Sequence, residues 1–372
     1  MIMKDLSHLK VAIVHDWLVG GGAERVVYEL HQMFPEAPIY TSYCSDEWRE
    51  KLDGKVVTGW LQHFGRLRKV LALGRIWWFG RLDLSGYDLV ISSSGNGEAF
   101  GIRTPKSTTH VCYCHTPTHY YWRHYDQYMK EPGVGVFNPL VRLGLKVLVG
   151  PLRKWDLKAS KRPDYFIANS KHIQADIKTY YGRDSAVVHP PIDIERFAVN
   201  GPKKRIGFLT AGRQVPYKHT ALIVEACTKL NVPLTVIGDG PDNARLRHSA
   251  GPTITFRGAA TNNRVADGDM GPLFASAEAF LFAAFEDFGV TPVEALAAGT
   301  PVIAYKAGGA LDYVIPGKTG EFFEEQTVES LMEALRNFDA SKYDHDAIAR
   351  SAQAFSAQAF ARNMRAFLEK VL

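Results

Sequence analysis

Two carboxylates and two cations carry most of the chemistry that this sequence could do. Arg213 and Lys218 lie in AGRQVPYKH, directly after an apolar run. Together they could neutralise a diphosphate, the guanidinium as a fork and the ammonium as a point charge. Taken singly, each also fits a solvated surface cation. Glu286 sits in a Phe-Glu-Asp-Phe stretch, where a carboxylate between aromatic rings is costly unless it has a partner or a use. Further on, Thr291-Pro292-Val293-Glu294 reads as a helix start, with Thr as N-cap, Pro at the first helical position and Glu at the third. Glu294 is then either a capping-box residue or a ligand. The free N–H groups of that helix, following Gly289, would form an anion site in a strand-to-helix crevice.

A second group of candidates lies earlier. HVCYCHTPTHYYW crowds His110, Cys112, Cys114, His115 and His119. Strand alternation puts His110, Cys112 and Cys114 on one face and His115 on the other, and no second Cys pair exists, so no metal site is expected. His115, at the end of that strand, is either a substrate-facing hydrogen-bond donor or proton handler, or a structural histidine. Gly20-Gly21-Gly22 after the first strand would let backbone approach a ligand closely, or merely form a tight turn.

These residues need strands and helices to hold them, and the chain supplies a repeated strand-then-helix pattern. KVAIVHD, DLVISSS, THVCYCH and DYFIANS are apolar, strand-like runs; a helix follows the first over AERVVYELHQMF and the last over 171–181. The pattern breaks at Pro190-Pro191 and restarts with IGFLTAG, PLTVIGDG, TITFRG, AEAFLFAA and PVIAY. Buried runs separated by helices predict parallel sheets covered on both faces. The expected fold class is α/β, with domains at 1–190 and 191–355 and a final helix at 356–372 bearing Phe360, Met364 and Phe367 on a stripe begun by Phe355.

The 372 residues, 46% hydrophobic and 22% charged, describe an ordinary folded chain rather than a disordered or coiled-coil one. Four cysteines are too few for a disulfide framework and suggest a reducing, cytoplasmic setting. No stretch approaches a membrane span, and no secretory signal is read. Residues 1–190 hold 25 Lys and Arg against 18 Asp and Glu, whereas 191–372 hold 19 against 21. The excess concentrates between Gly54 and Leu82, where Lys55, Arg66, Arg68, Lys69, Arg75 and Arg81 are interleaved with Trp60, Phe64, Trp77 and Trp78. Such a segment can lie on an anionic bilayer, with Arg68, Lys69, Trp77 and Trp78 as contacts, or cover a core as a surface helix. The charge balance does not suit a nucleic-acid binder.

In combination and order, several motifs resemble a retaining glycosyltransferase of family four. They are Gly21-Gly22-Ala23-Glu24, Gly212-Arg213 with Lys218, Gly238-Asp239-Gly240-Pro241, Glu286-x7-Glu294 and GGALDYVIPGKTG. The resemblance implies a GT-B architecture: two Rossmann-like domains facing across a cleft, with the C-terminal helix crossing back to the first. By the same resemblance, Arg213 and Lys218 bind the donor diphosphate, Glu286 lies near the transferred sugar, and Glu294 holds the ribose. Amides of Phe288, Gly289, Val290 and Thr291 contact sugar and phosphates, Gly21 and Gly22 approach the diphosphate, and His115 contacts the sugar. Arg257 and Gly258 lie near the base. His219 stands after Lys218 where glycine is frequent in the family.

The implied reaction is transfer with retention by same-face attack, needing no metal and no cofactor beyond the nucleotide-sugar substrate. GGAERVVYEL, LDLSGYDLVISSS, CYCHTPTHYYW and VPYKH are similar to bacterial mannosyltransferases of O-antigen and exopolysaccharide assembly. That similarity implies GDP-mannose as donor, a polyprenyl-diphosphate-linked saccharide as acceptor, and a peripheral position on the cytoplasmic membrane surface. A UDP-sugar transferase and a non-catalytic sugar-nucleotide-binding protein are the alternatives. A nicotinamide dehydrogenase is disfavoured because no Gly-x-Gly-x-x-Gly follows the first strand, and a phosphorylase because no pyridoxal-phosphate motif is found.

Overall fold

Near-continuous apolar runs become the strands of two parallel sheets in the computed structural model, which describes residues 6, 8–64, 71–95, 98–118, 121–123, 125–130, 138–199, 201–202, 204–260, 264–265 and 268–372. The chain divides into two units, one of residues up to Pro191 together with Phe360–Leu372, the other of Ile192–Ala359.

In the first unit the strands are β1 (Val11–His15), β2 (Ile39–Thr41), β3 (Val56–Thr58), β4 (Leu89–Ser94), β5 (Thr109–Cys114), β6 (Tyr165–Ala168) and β7 (Ser185–Val187). They lie in the order β3-β2-β1-β4-β5-β6-β7, all neighbours parallel. β1 and β4 are buried along their whole length because helices cover both faces. Alternation sends Val11 and Ile13 to one core with Val26, Val27 and Leu30 of the Gly22–Met33 helix. Ala12 and Val14 go to the other, with Phe79 and Leu84. Phe360, Met364 and Leu368 of the C-terminal helix complete the first of these cores. Burying side chains of this size contributes about 1.5–3 kcal/mol each. The expected stripe therefore divides: Phe355 packs instead in the second unit, beside Phe288 and Tyr313 at 5.8 and 6.3 Å between ring centres.

The helix expected over 171–181 is α-helical only for Lys171–Asp176, where the Ser170 hydroxyl caps it by accepting from the Ile173 amide. Ile177–Tyr181 then widens into a π-turn that ends at Gly182, whose φ of +66° is left-handed.

The second unit contains β8 (Phe208–Ala211), β9 (Leu234–Ile237), β10 (Ile254–Gly258), the antiparallel pair β11 (Arg264–Val265) and β12 (Gly268–Asp269), and β13 (Ala279–Phe282), β14 (Val302–Tyr305) and β15 (Gly320–Phe323). Its main sheet runs β10-β9-β8-β13-β14-β15. One face packs Leu209, Phe280 and Val302 against Phe274, Val293 and Leu296. The other packs Val236, Leu281 and Ile303 against Ile223, Cys227 and Leu331. Both sheets reverse direction of strand addition beside their first strand, between β1 and β4 and between β8 and β13. Loops leaving the carboxyl ends at such a reversal splay apart and open a crevice.

Candidate active site

In the second unit the loops after β8 and β13 leave that reversal point, and they bring two of the expected residues together. The Lys218 ammonium donates to the Glu286 carboxylate, with both side chains about one quarter exposed. Lys218 ends a 3-10 turn, Pro216–Lys218, and the following His219 takes φ +52° and ψ +29°. That is the left-handed conformation glycine adopts without strain and that histidine adopts less readily. Arg213 is exposed, but the backbone on both sides of it is pinned. The Gly212 amide donates to Ile237 O at 3.0 Å and the Gln214 amide to Asp239 O at 2.9 Å. The buried Gln214 side chain donates to Gly238 O at 2.9 Å and accepts from Asn243 Nδ2 at 2.7 Å. Gly238 fits only because it lacks a side chain, since a Cβ there would lie 1.9 Å from Gly212 O.

The helix that follows Glu286 begins two residues earlier than the motif suggests. It spans Val290–Ala297 with Gly289, at φ +89°, as N-cap. Thr291 and Pro292 therefore lie within the first turn, a correction to the reading of Thr291 as the cap. Gly289 makes the change of direction that a Thr side chain would otherwise have had to stabilise, and a Cβ on it would meet Tyr313 Oη at 2.6 Å. That buried phenol oxygen has no hydrogen-bond partner among the described residues. Glu294 is buried on this helix and Phe288 beneath it. Gly308 and Gly309, after β14, press against the Glu286–Phe288 backbone, where the Gly309 amide donates to Glu286 O at 2.9 Å. Arg257 and Gly258 lie at a bulge closing the edge strand β10, and Gly258 O accepts from the Gly238 amide at 2.7 Å. Arg213, Lys218, Gly258, Glu286 and Gly289 thus all leave the carboxyl edge of one sheet.

In the first unit His115 follows β5. Its Nε2 lies 2.8 Å from Ser93 Oγ of β4. His15 Nδ1, at the end of β1, is 2.8 Å from the Ser93 carbonyl oxygen and 3.1 Å from Ser93 Oγ. A carbonyl only accepts, so His15 Nδ1 carries a proton; the Ser93 hydroxyl meets His115 Nε2 either as donor or as acceptor, according to the tautomer of His115. Burial, and then the adjacent His15, push the His115 pKa down to about 3, so the ring is neutral. His15, Ser93 and Asp16 were not read from the sequence. The signal was a polar end to each central strand, VHD and SSS. Asp16 is buried and accepts from the amides of Gly95 at 2.7 Å and Ala99 at 2.9 Å. The glycine turn also holds more than glycine: Glu24 Oε1 accepts from the Val19 and Gly20 amides at 3.2 and 3.0 Å. Gly22 opens the helix behind it, and Gly21 stands where a Cβ would be 2.9 Å from the Glu24 carboxylate.

The basic aromatic segment is only partly as expected. Arg75 is not a surface cation: it is buried and donates to Glu98 at 2.8 Å, with its guanidinium 5.0 Å from the Trp17 ring centre. A carboxylate distant in sequence draws it inward. Burial raises the Glu98 pKa to about 7, with Arg75 opposing and Asp16 adding to the rise. Trp78 turns onto Gly59 and the core, whereas Trp77 is exposed beneath the Arg81 guanidinium, 4.2 Å from its ring centre. Arg66, Arg68 and Lys69, like His119, lie outside the described residues. Among the described residues no helix is long and apolar enough to cross a membrane.

Comparison with known proteins agrees with this arrangement. Residues 20–196 match the profile "Glycosyltransferase Family 4" and residues 191–355 match "Glycosyl transferases group 1". A GDP-mannose-dependent alpha-mannosyltransferase of Mycobacterium tuberculosis is 35% identical over 142 residues, 35% of each chain, so this chain spans about a third of that relative's length. Alpha-1,3/1,6-mannosyltransferase alg2 of Schizosaccharomyces pombe is 23% identical over 84% of this chain and 70% of its own. Among solved structures, Anabaena Alr3699/HepE, crystallised with UDP-glucose, superposes over 98% of this chain and 100% of its own with a TM-score of 0.66 at 18% identity. Two profiles that together run from residue 20 to residue 355, on two parallel α/β sheets of the GT-B type, establish that the chain belongs to the glycosyltransferases of family four.

Proposed function

We propose that the chain transfers mannose from GDP-mannose, with retention at the anomeric carbon, onto a polyprenyl-diphosphate-linked saccharide during cell-surface polysaccharide assembly. The observation that carries this reading is the meeting of Lys218 with Glu286 at the reversal point of the second sheet, with Arg213 on the pinned loop beside them. An ammonium and a guanidinium held there suit a diphosphate, and a carboxylate already paired to the ammonium suits the hydroxyls of the sugar attached to it. The names of the mycobacterial and yeast relatives support mannose, and the first supports GDP.

In this reading Arg213 and Lys218 hold the diphosphate, amides of Phe288 to Thr291 contact sugar and phosphate, and Glu294 binds the ribose. Arg257 and Gly258 border the base, Gly21 and Gly22 approach the diphosphate, and His115 donates from Nδ1 to a sugar hydroxyl. The acceptor oxygen forms its bond to the anomeric carbon on the face the diphosphate leaves. The carbon–oxygen bond to phosphate breaks, and the acceptor's proton passes to the departing phosphate oxygen. Arg213 and Lys218 stabilise the negative charge that develops, and no step calls on a divalent metal or a cofactor. The acceptor's lipid places the reaction at the cytoplasmic membrane surface, with the Trp77 region as a contact.

Thermal stability with GDP, UDP, ADP and CMP, with and without EDTA, tests the donor, because a ligand that binds only the folded state raises its melting temperature. Selective stabilisation by GDP that survives EDTA, followed by α-mannose transfer to a lipid-linked acceptor, is the expected result. Selectivity for UDP would overturn mannose while keeping a transferase. No nucleotide effect at all would overturn the reading.

A further inference from the structure

The helix Asn138–Ala159 carries an apolar face that the first unit leaves uncovered. Its C-terminal half is held firmly. The buried Asp156 accepts from Trp122 Nε1 at 2.7 Å, Tyr181 Oη at 2.9 Å and Thr118 Oγ1 at 3.0 Å, and Leu152 and Ala159 are buried on the same side. The N-terminal half projects differently. Leu140, Leu143 and Val147 are 67%, 60% and 64% exposed, and Leu148 is 41% exposed. Positions i, i+3, i+7 and i+8 share one side of a helix, so these four form a single stripe. From Asn138 to Trp155 the sequence has no Asp or Glu, while Arg142, Lys146 and Lys154 are exposed cations. Arg142 also donates to the Lys130 carbonyl.

We infer that this stripe is an interfacial anchor which lies in the headgroup region of an anionic bilayer; the inference rests on the membrane-surface reading above and assigns it an element of its own. An uncovered row of Leu and Val, on a helix stretch that carries Arg and Lys but no Asp or Glu, has the composition of a helix that lies in an interface. Charge selects the occupant. A second copy of the helix would set Arg142 and Lys146 against the same cations with no carboxylate to meet them, whereas anionic headgroups complement both. A second exposed apolar group belongs to the same unit: Trp60, Phe64, Leu73 and Trp77, with Arg81 over Trp77. Both surfaces grow from elements packed on one 3-10 turn, Ala99–Gly101. The Ala72–Phe79 helix touches it, and Trp155 lies so close to Gly101 that a Cβ there would be 2.7 Å from the ring. One buried turn therefore sets the spacing of two apolar surfaces.

The test is sedimentation of the full chain with phosphatidylglycerol vesicles and with phosphatidylcholine vesicles, comparing wild type with the variant Leu140→Ser, Leu143→Ser, Val147→Ser, Leu148→Ser. Wild type is expected to bind phosphatidylglycerol, and the variant to lose on the order of 100-fold in partitioning while its circular dichroism and GDP stabilisation are unchanged. Arg142→Ala with Lys146→Ala is expected to weaken partitioning by roughly tenfold and to reduce its dependence on lipid charge. Retained binding by the quadruple variant, with release instead by Trp60→Ser and Trp77→Ser, would overturn this inference and leave the membrane reading standing. Failure of wild type to bind either vesicle would overturn both. A wild-type dimer in light scattering that the quadruple variant converts to monomer, without vesicle binding, would overturn it in favour of a second copy.

Discussion

The Ser93 hydroxyl stands between two histidines, 2.8 Å from His115 Nε2 and 3.1 Å from His15 Nδ1. With His15 donating to the Ser93 carbonyl, the hydroxyl proton is free to point at His115, and the expectation to test is that it does so and sets the tautomer of His115 from two strands away. Nitrogen-15 correlation spectra of the imidazoles should show His115 as the neutral Nδ1–H form, with no titration between about pH 5 and pH 8. In Ser93→Ala the tautomers should mix, and turnover should fall about tenfold through loss of one oriented hydrogen bond. A His115 signal that titrates near its ordinary pKa would refute the assignment.

Lys218→Ala and Arg213→Ala should each lower turnover by on the order of 100-fold or more, as expected for removing charge that stabilises a leaving diphosphate. Neither should change unfolding free energy by more than about 1 kcal/mol, since the Lys218–Glu286 pair is partly solvated and Arg213 is exposed. Denaturant melts beside initial rates separate the two effects. Near-normal rates in both variants would remove the diphosphate assignment.

Gly309 and Gly317 make a controlled comparison. A Cβ on Gly309 would lie 2.3 Å from both Cα and O of Phe288, whereas one on Gly317 meets nothing within 4 Å. Gly317 takes a left-handed φ of +71°, so its replacement carries only that conformational cost, about 1–2 kcal/mol. Gly309→Ala must displace the backbone that presents Glu286, and should lower nucleotide affinity as well as melting temperature. Gly317→Ala should lower melting temperature alone.

Glu98 gives a pH dependence whose sign can be worked out. Its folded pKa, about 7, lies above the unfolded value of 4.5, so the folded state binds the extra proton between these limits. The stability it contributes is complete below 4.5 and is lost as pH rises to 7. The unfolding free energy of wild type minus that of Glu98→Gln should therefore fall across that window, by on the order of 1 kcal/mol per pH unit, and level off above it. A difference that grows with pH would show that Arg75 outweighs burial.

The sheets were legible because their central strands are apolar on both faces; VAIVH and LVISSS read as strands before any partner is known. The three-residue strands β2, β3 and β7 were not, since three residues give no period to detect. Arg213, Lys218 and Glu286 stand out because chemistry marks them, and the fold then supplies the Lys218–Glu286 contact. Arg75 misled: its composition says surface, and only Glu98, 23 positions later, explains why it is buried. Glycine announced the turn at 289 no less clearly than Thr291 announced a cap, and local sequence does not say which of two adequate starts a helix takes. The Leu140–Leu148 stripe went unread for a related reason. Apolar spacing marks one side of a helix, while whether that side meets a core or solvent depends on elements elsewhere in the chain.

The final helix has a consequence for the order in which the protein is made. Phe360, Met364 and Leu368 fill a core whose other walls are drawn from residues 11–188, yet they leave the ribosome only after all of Ile192–Ala359. At about 5–20 residues per second, the first unit waits on the order of ten seconds or more with that core unfinished. The unit translated first is thus the last to close, and the continuous second unit can fold before it. During synthesis the chain's exposed liability is its amino-terminal half, and a chaperone bound there would be released by the arrival of residues 360–368.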